Sequence, residues 1–175
     1  MSKIKSIFNN INNKDSRLNI FLYENDKRYI SSLQKTGHRF YLPESEELVD
    51  GTYQAKGRFA SLNFDIIITS HKFDNSFNEI KQMSLQSNAP LIVISHVAPW
   101  HFSDNFSCLE DVPKRFMGML RDSGGDLNIT DSKELEESWS QVVSNNLTIP
   151  FSLDYNESDF VDTWKQVFNQ FKELL

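Results

Sequence analysis

The sequence predicts an α/β fold built on a mostly parallel sheet of about six strands, and three observations carry that expectation. Short apolar runs of strand length recur along the chain, among them Ile66-Ile67-Ile68 and Leu91-Ile92-Val93-Ile94. These runs are apolar on successive residues, as strands buried on both faces are. Segments with helical spacing separate them, so each strand is followed by a crossover that returns the chain to the same sheet and covers both of its faces. The expected architecture is a Rossmann-like three-layer sandwich.

A length of 175 residues suits one domain of ordinary size. The division expected is an N-terminal arm over 1–17, the α/β domain over 18–158, and a C-terminal amphipathic helix over 159–175 packed on the same domain. In the arm, Ile4, Ile7, Phe8 and Ile11 form a helical stripe, while Asn9, Asn10, Asn12 and Asn13 oppose a long helix. It reads as a short packing segment; with Lys3 and Lys5 beside the stripe, attachment to a membrane surface is the alternative.

The first strand is expected over 18–23, followed by a helix over 26–35 that stops at Gly37. The second strand, 38–42, ends at Pro43, and the acidic stretch 44–50 reads as a loop. The third strand, 64–69, is β-branched and apolar on both faces. Residues 74–87 place Phe77, Ile80, Met83 and Leu85 at roughly helical spacing, and 91–95 is the fourth strand. From 97 to 126 periodicity is lost apart from a short helix over 113–121, and so long a connection is expected to be functional or partly mobile. A fifth strand, 127–130, leads into a helix capped by Thr130 or Asp131 and running to about Val143, with Glu134 three residues after Asp131 as in a capping box. The sixth strand, 147–149, is closed by Pro150. The last helix, 159–174, carries Phe160, Trp164, Val167, Phe168, Phe171 and Leu174 on one face.

Composition excludes several functions. With 18 Lys and Arg against 24 Asp and Glu, and no basic block, a nucleic-acid backbone binder is disfavoured. The longest apolar runs fall far short of the roughly 20 residues of a membrane-spanning helix. A single cysteine, Cys108, and no secretory leader point to a reducing cytoplasmic setting, in a host cell or a virion if the gene is viral.

In open α/β sheets, ligands sit beyond the carboxyl ends of the strands. The residues that follow the strands are Glu24 to Arg28, then Ser70-His71-Lys72, then Ser95-His96, then Asp131-Ser132-Lys133. His71 and His96 each come directly after a buried strand. An imidazole there can act as a general base or bond a ligand hydroxyl, or it can simply bond a loop carbonyl. His96 is the candidate catalytic residue; Glu24, Asn25, His71, Ser132 and Lys133 are the candidate ligand-binding residues. Replacing His96 by Ala is expected to remove binding while changing stability by no more than about 1 kcal/mol. His38 and His101 are weaker candidates. No Gly-x-Gly-x-x-Gly follows the first strand, no Gly-Lys-Ser/Thr loop exists, and neither a Gly-x-Ser-x-Gly elbow nor a metal-binding spacing occurs. No cofactor or metal is expected. Trp100, Phe102 and Phe106 in the long connection either anchor a protein partner or cover the core beneath it.

Several stretches carry a resemblance: Lys27-Arg28-Tyr29, Thr36-Gly37-His38, Phe40-Tyr41, Asp65-Ile66-Ile67-Ile68 with His71-Lys72-Phe73, and Pro90-Leu91-Ile92-Val93 with His96 and Pro99. Asn128 to Lys133 and Ile149 to Asp154 extend it. Together, over about residues 18–160, they resemble the N-terminal, acceptor-side half of GT-B glycosyltransferases, most closely the short ones of phages and related bacteria. The resemblance implies a sugar acceptor or a nucleotide-sugar as ligand, with the residue matched by His96 close to the transferred sugar. It also implies a missing partner, because the donor domain with its diphosphate clamp is absent, the family's Gly-rich first loop is missing, and Phe151-Ser152 replaces Asn-Gly. The expected function is therefore ligand or acceptor binding, completed for catalysis by a donor-domain chain or a second copy. The alternatives are a minimal active glycosyltransferase, or a structural or interaction protein such as a virion component or a regulator.

Overall fold

The structure is a computed structural model that describes residues 17–44, 46–55, 63–70 and 72–174. Residues 1–16 of the expected arm over 1–17 lie outside the described residues, as does His71. In chain order the elements are β1 (Asn19–Tyr23), α1 (Lys27–Gln34), β2 (Arg39–Pro43), β3 (Tyr53–Ala55), β4 (Ile66–Thr69), α2 (Asn75–Ser87), β5 (Leu91–Ser95), α3 (Met117–Asp122), β6 (Leu127–Thr130), α4 (Lys133–Ser140), β7 (Asn146–Thr148) and α5 (Glu157–Leu174). They form a seven-stranded sheet in the order β3-β2-β1-β4-β5-β6-β7. Every pairing is parallel. The strand order reverses between β1 and β4, which places the switch point of this Rossmann-like sandwich at their carboxyl ends.

The doubly apolar strands explain the layers, because alternate residues of a strand face opposite sides of the sheet. Ile20 and Leu22, Phe40 and Leu42, Ile66 and Ile68, and Ile92 and Ile94 all join one apolar cluster. There they meet Tyr29, Ile30 and Leu33 of α1 and Phe160, Trp164, Val167 and Phe168 of α5. The intervening Phe21, Ile67, Leu91 and Val93 face the other side and pack on Phe77, Ile80 and Met83 of α2. The final helix thus closes one face of the sheet, and it begins at Glu157, two residues before the expected start.

The helix ends follow local chemistry. Asp26 caps α1 by accepting from the amides of Arg28 at 2.8 Å and Tyr29 at 3.1 Å. Asp74 caps α2 through the Phe77 amide at 3.1 Å, and α2 ends on Asn88 in the left-handed region at φ 57°. For α4 the cap is Ser132, whose hydroxyl accepts from the Leu135 amide at 3.3 Å, so the expected Thr130 or Asp131 cap is corrected by one to two residues.

Three further expectations change. The sheet has a seventh strand, β3, on the edge beside β2, in a stretch to which the sequence assigned no element. Leu85, placed on the apolar face of α2, is 66% exposed. The connection over 97–126 is also ordered by packing: Trp100, Phe102, Phe106 and Phe116 lie against Val112, Leu120 and Trp139 in a third apolar cluster. No helix among the described residues is long and apolar enough to cross a membrane.

Candidate functional site

Three acidic or basic side chains stand directly after three strands and meet above the sheet. Glu24 follows β1, His96 follows β5 and Asp131 follows β6. Because β4 lies between β1 and β5, His96 reaches over its end. His96 Nε2 is 3.2 Å from Glu24 Oε2, and Nδ1 is 2.8 Å from Asp131 Oδ2. The other Glu24 oxygen accepts from the amides of Asn25 at 2.7 Å and Asp26 at 3.0 Å. These bonds set the turn from β1 into α1 while fixing the carboxylate.

Charge follows from that geometry. Burial works against the His96 imidazolium, but the hydrogen bonds to Asp131 and Glu24 and the charges of both carboxylates outweigh it and raise its pKa to about 9. Burial likewise pushes the Glu24 carboxyl up, and the bonds from His96 and from the backbone amides pull it below its ordinary value. At neutral pH the arrangement is a carboxylate–imidazolium–carboxylate bridge in which both ring N–H groups donate. In this charge state the ring offers no free lone pair, so a general-base role, one of the readings open for His96, would first require loss of a ring proton. The His96 side chain is 36% exposed and that of Asp131 is 20% exposed, so what the bridge offers a ligand is an ordered polar surface. The stability expectation for His96→Ala also changes, because removing the ring leaves two carboxylates facing each other without a counter-charge.

Beneath the bridge lies a buried polar chain. Lys72 Nζ contacts Ser95 Oγ, lies 3.4 Å from Asn128 Oδ1 and sits 4.4 Å from the centre of the Trp139 ring. Ser95 in turn donates to Asn128, which donates to Asn146 at 2.7 Å. Burial drives the Lys72 ammonium well below its ordinary pKa, opposed by the charge of Asp131. The Trp139 indole donates to the Val97 carbonyl at 2.8 Å and so holds the residue after His96.

Tyr29 forms the wall on the α1 side. Its ring meets His96 edge-on at 6.2 Å and Phe151 at 4.5 Å. Its hydroxyl is buried without a hydrogen-bond partner among the described residues, as is the Trp164 indole N–H. The two groups influence each other but do not reach hydrogen-bonding geometry. Burial, followed by the charge of Glu24, raises the Tyr29 pKa well above 10.0.

Of the residues expected from sequence, Glu24 and His96 are thus brought together. Asn25 lies beside them, its backbone amide held by Glu24 and its side chain exposed. Ser132 follows Asp131, but its hydroxyl is used as the α4 cap. Lys133 is turned away, paired with Glu136 at 2.6 Å on the exposed face of α4. His38 is accounted for structurally: its Nδ1 accepts from the Leu18 amide at 3.2 Å, and burial, with Lys172 nearby, lowers its pKa to about 4. Asp131, Tyr29 and Lys72 complete the site and were not among the expected site residues. For Asp131 the signal was available, since it follows its strand as directly as Glu24 and His96 follow theirs. Among the described residues no grouping of three His, Cys, Asp or Glu side chains suits a metal ion.

No family model matches the chain, and no curated protein matches it.

Proposed function

We propose that the chain is a ligand-binding Rossmann-like domain, related in type to the acceptor-side half of GT-B glycosyltransferases. Its carboxyl-edge cleft takes a hydroxyl-rich ligand, a sugar or glycan. The observation that carries this reading is the His96 bridge between Glu24 and Asp131 beside the switch point. The exposed edge of the imidazole, with the partly exposed Asp131 beside it and Glu24 fixing it from below, presents an ordered charged rim to sugar hydroxyls, and an ordered array of this kind meets the ligand without reorganising. The resemblance in 18–160 supports the same ligand class.

The domain alone is proposed to bind and not to complete a transfer. Transfer requires groups preorganised on the donor and acceptor sides of the reacting bond together. The His96 ring, with both nitrogens engaged, supplies a charge and a shape to the acceptor side. A donor-domain chain or a second copy would supply the other side.

Isothermal calorimetry with a panel of neutral and charged glycans and nucleotide-sugars tests the reading. Binding by the native chain that is lost in His96→Ala and in Asp131→Ala is expected. Clear turnover of a nucleotide-sugar by the isolated chain would replace this reading with that of a minimal enzyme. Absence of binding across the panel would remove it.

A further inference from the structure

Resting on that reading, the surroundings of the cleft point to which hydroxyl-rich ligand it takes. Arg28 lies in the first turn of α1, one residue before Tyr29. Its guanidinium carbon is 4.5 Å from the centre of the Phe151 ring and 5.3 Å from that of Tyr155. Its Nη1 reaches the Leu153 carbonyl only at 3.5 Å. Lys27, Lys35, Lys81, Lys133 and Lys165 are each paired with a carboxylate, whereas Arg28 has no such partner among the described residues. Asp26, two residues away, is occupied in capping the helix. Among the described residues, a cation without a carboxylate partner thus stands at this edge, beside the His96 bridge.

The guanidinium lies against two rings and makes only one long hydrogen bond of its own among the described residues, and its donor fork is the group that receives a carboxylate or phosphate in bidentate fashion. The shelf is continuous with the bridge: Phe151 packs on Tyr29, and Tyr29 packs on His96. The His96 charge is already balanced by two carboxylates, so it has little left to offer an anion. Arg28 has no such balance.

We propose that Arg28, held on the Phe151 and Tyr155 rings, is the subsite for an acidic group of the ligand, and that the ligand class is acidic glycans bearing a carboxylate or a phosphate. Paired oligosaccharides that differ only in charge test this: trigalacturonate against its methyl ester, and phosphorylated maltotriose against maltotriose. In calorimetry the native chain is expected to bind at least one acidic member about tenfold or more tightly than its neutral partner, and the pair that discriminates tells carboxylate from phosphate. Arg28→Gln is expected to abolish the difference while leaving neutral binding in place, and Arg28→Lys, which keeps the charge but loses the fork, to lose most of it. Arg28 is exposed, so both variants are expected to fold, with circular dichroism as the check. Equal affinity within both pairs, or a preference that survives Arg28→Gln, would overturn the proposal while leaving the cleft reading intact. Failure of all four oligosaccharides to bind while another member of the wider panel binds would overturn this proposal alone, and absence of binding across the whole panel would overturn both.

Discussion

His96 Nδ1 lies 2.8 Å from Asp131 Oδ2, and that bond ties together the carboxyl ends of the neighbouring strands β5 and β6. With Glu24 on the other ring nitrogen, one imidazole joins three segments of the sheet edge. Its charge state therefore has consequences for stability as well as for binding.

The His96 pKa is about 9 in the folded chain, against an ordinary value of 6.5. A group raised on folding contributes stability that is fully present below its unfolded pKa and is lost as pH rises through the folded one. The urea midpoint is thus expected to fall between pH 6.5 and about 9, by an amount equivalent to no more than about 1–2 kcal/mol once solvent screening of a partly exposed ring is allowed for. The comparison with His96→Gln isolates the imidazole from Lys72, whose lowered ammonium titrates with the opposite sign. A midpoint that falls equally in both proteins would contradict the bridge. Glu24 works at the other end: its lowered pKa gives stability present above 4.5 and lost as pH falls through the folded value.

Removing either carboxylate is expected to return the imidazole toward ordinary behaviour. In Glu24→Gln and in Asp131→Asn, the His96 Cε1–H resonance followed by NMR is expected to titrate at least one pH unit lower than in the native chain. Glu24→Gln is expected to cost about 1–3 kcal/mol, since Glu24 is nearly buried and also holds two amides. An unchanged titration in both variants would mean that His96 does not make these bonds in solution.

The Lys72 chain is expected to be the costliest polar feature to break. Lys72→Ala removes the partner of Ser95 and Asn128 and opens a void against Trp139, for an expected loss of about 3 kcal/mol or more in urea denaturation. Lys72→Met, which fills the same space, is expected to lose distinctly less. Equal losses would show that the bonds of the amino group, and not the filled space, carry the cost.

The strands of the sheet centre were legible because burial on both faces leaves a continuous apolar run, as in β4 and β5. The edge strand β3 was not: it has three residues, Tyr53 is half exposed, and the pattern carries no burial signal to read. In the site, Glu24 and His96 were legible from their place after strands. Asp131 carried the same signal but was read as a cap, since an acidic residue just before a helix also reads that way, and Ser132, one position on, serves that purpose. Lys72 stood among the residues after a strand and Tyr29 in a stretch of the resemblance, but neither was singled out, because what makes them part of the site is burial among residues from distant elements.

Two glycines with positive φ separate backbone strain from steric conflict. At Gly37 (φ +86°) an added Cβ meets nothing within 4 Å, whereas at Gly125 (φ +63°) it would lie 2.6 Å from the Leu91 carbonyl oxygen. Gly37→Ala is expected to cost about 1 kcal/mol, the strain of the conformation alone. Gly125→Ala is expected to cost clearly more, because the backbone of β5 must move. Similar losses for the two variants in parallel denaturation curves would contradict the close approach.

The proposed meeting place of the chain and a hydroxyl-rich ligand is the carboxyl edge around His96. The most direct test is an NMR titration of the native chain with glycans, reading backbone amides together with the His96 imidazole. Shifts concentrated at residues 24–29, 96–97, 131–132 and 151–155, with a perturbed His96 ring, are the result expected. Saturable binding whose shifts cluster elsewhere, for example on α2 or along the β3 edge, with His96 unmoved, would contradict the account.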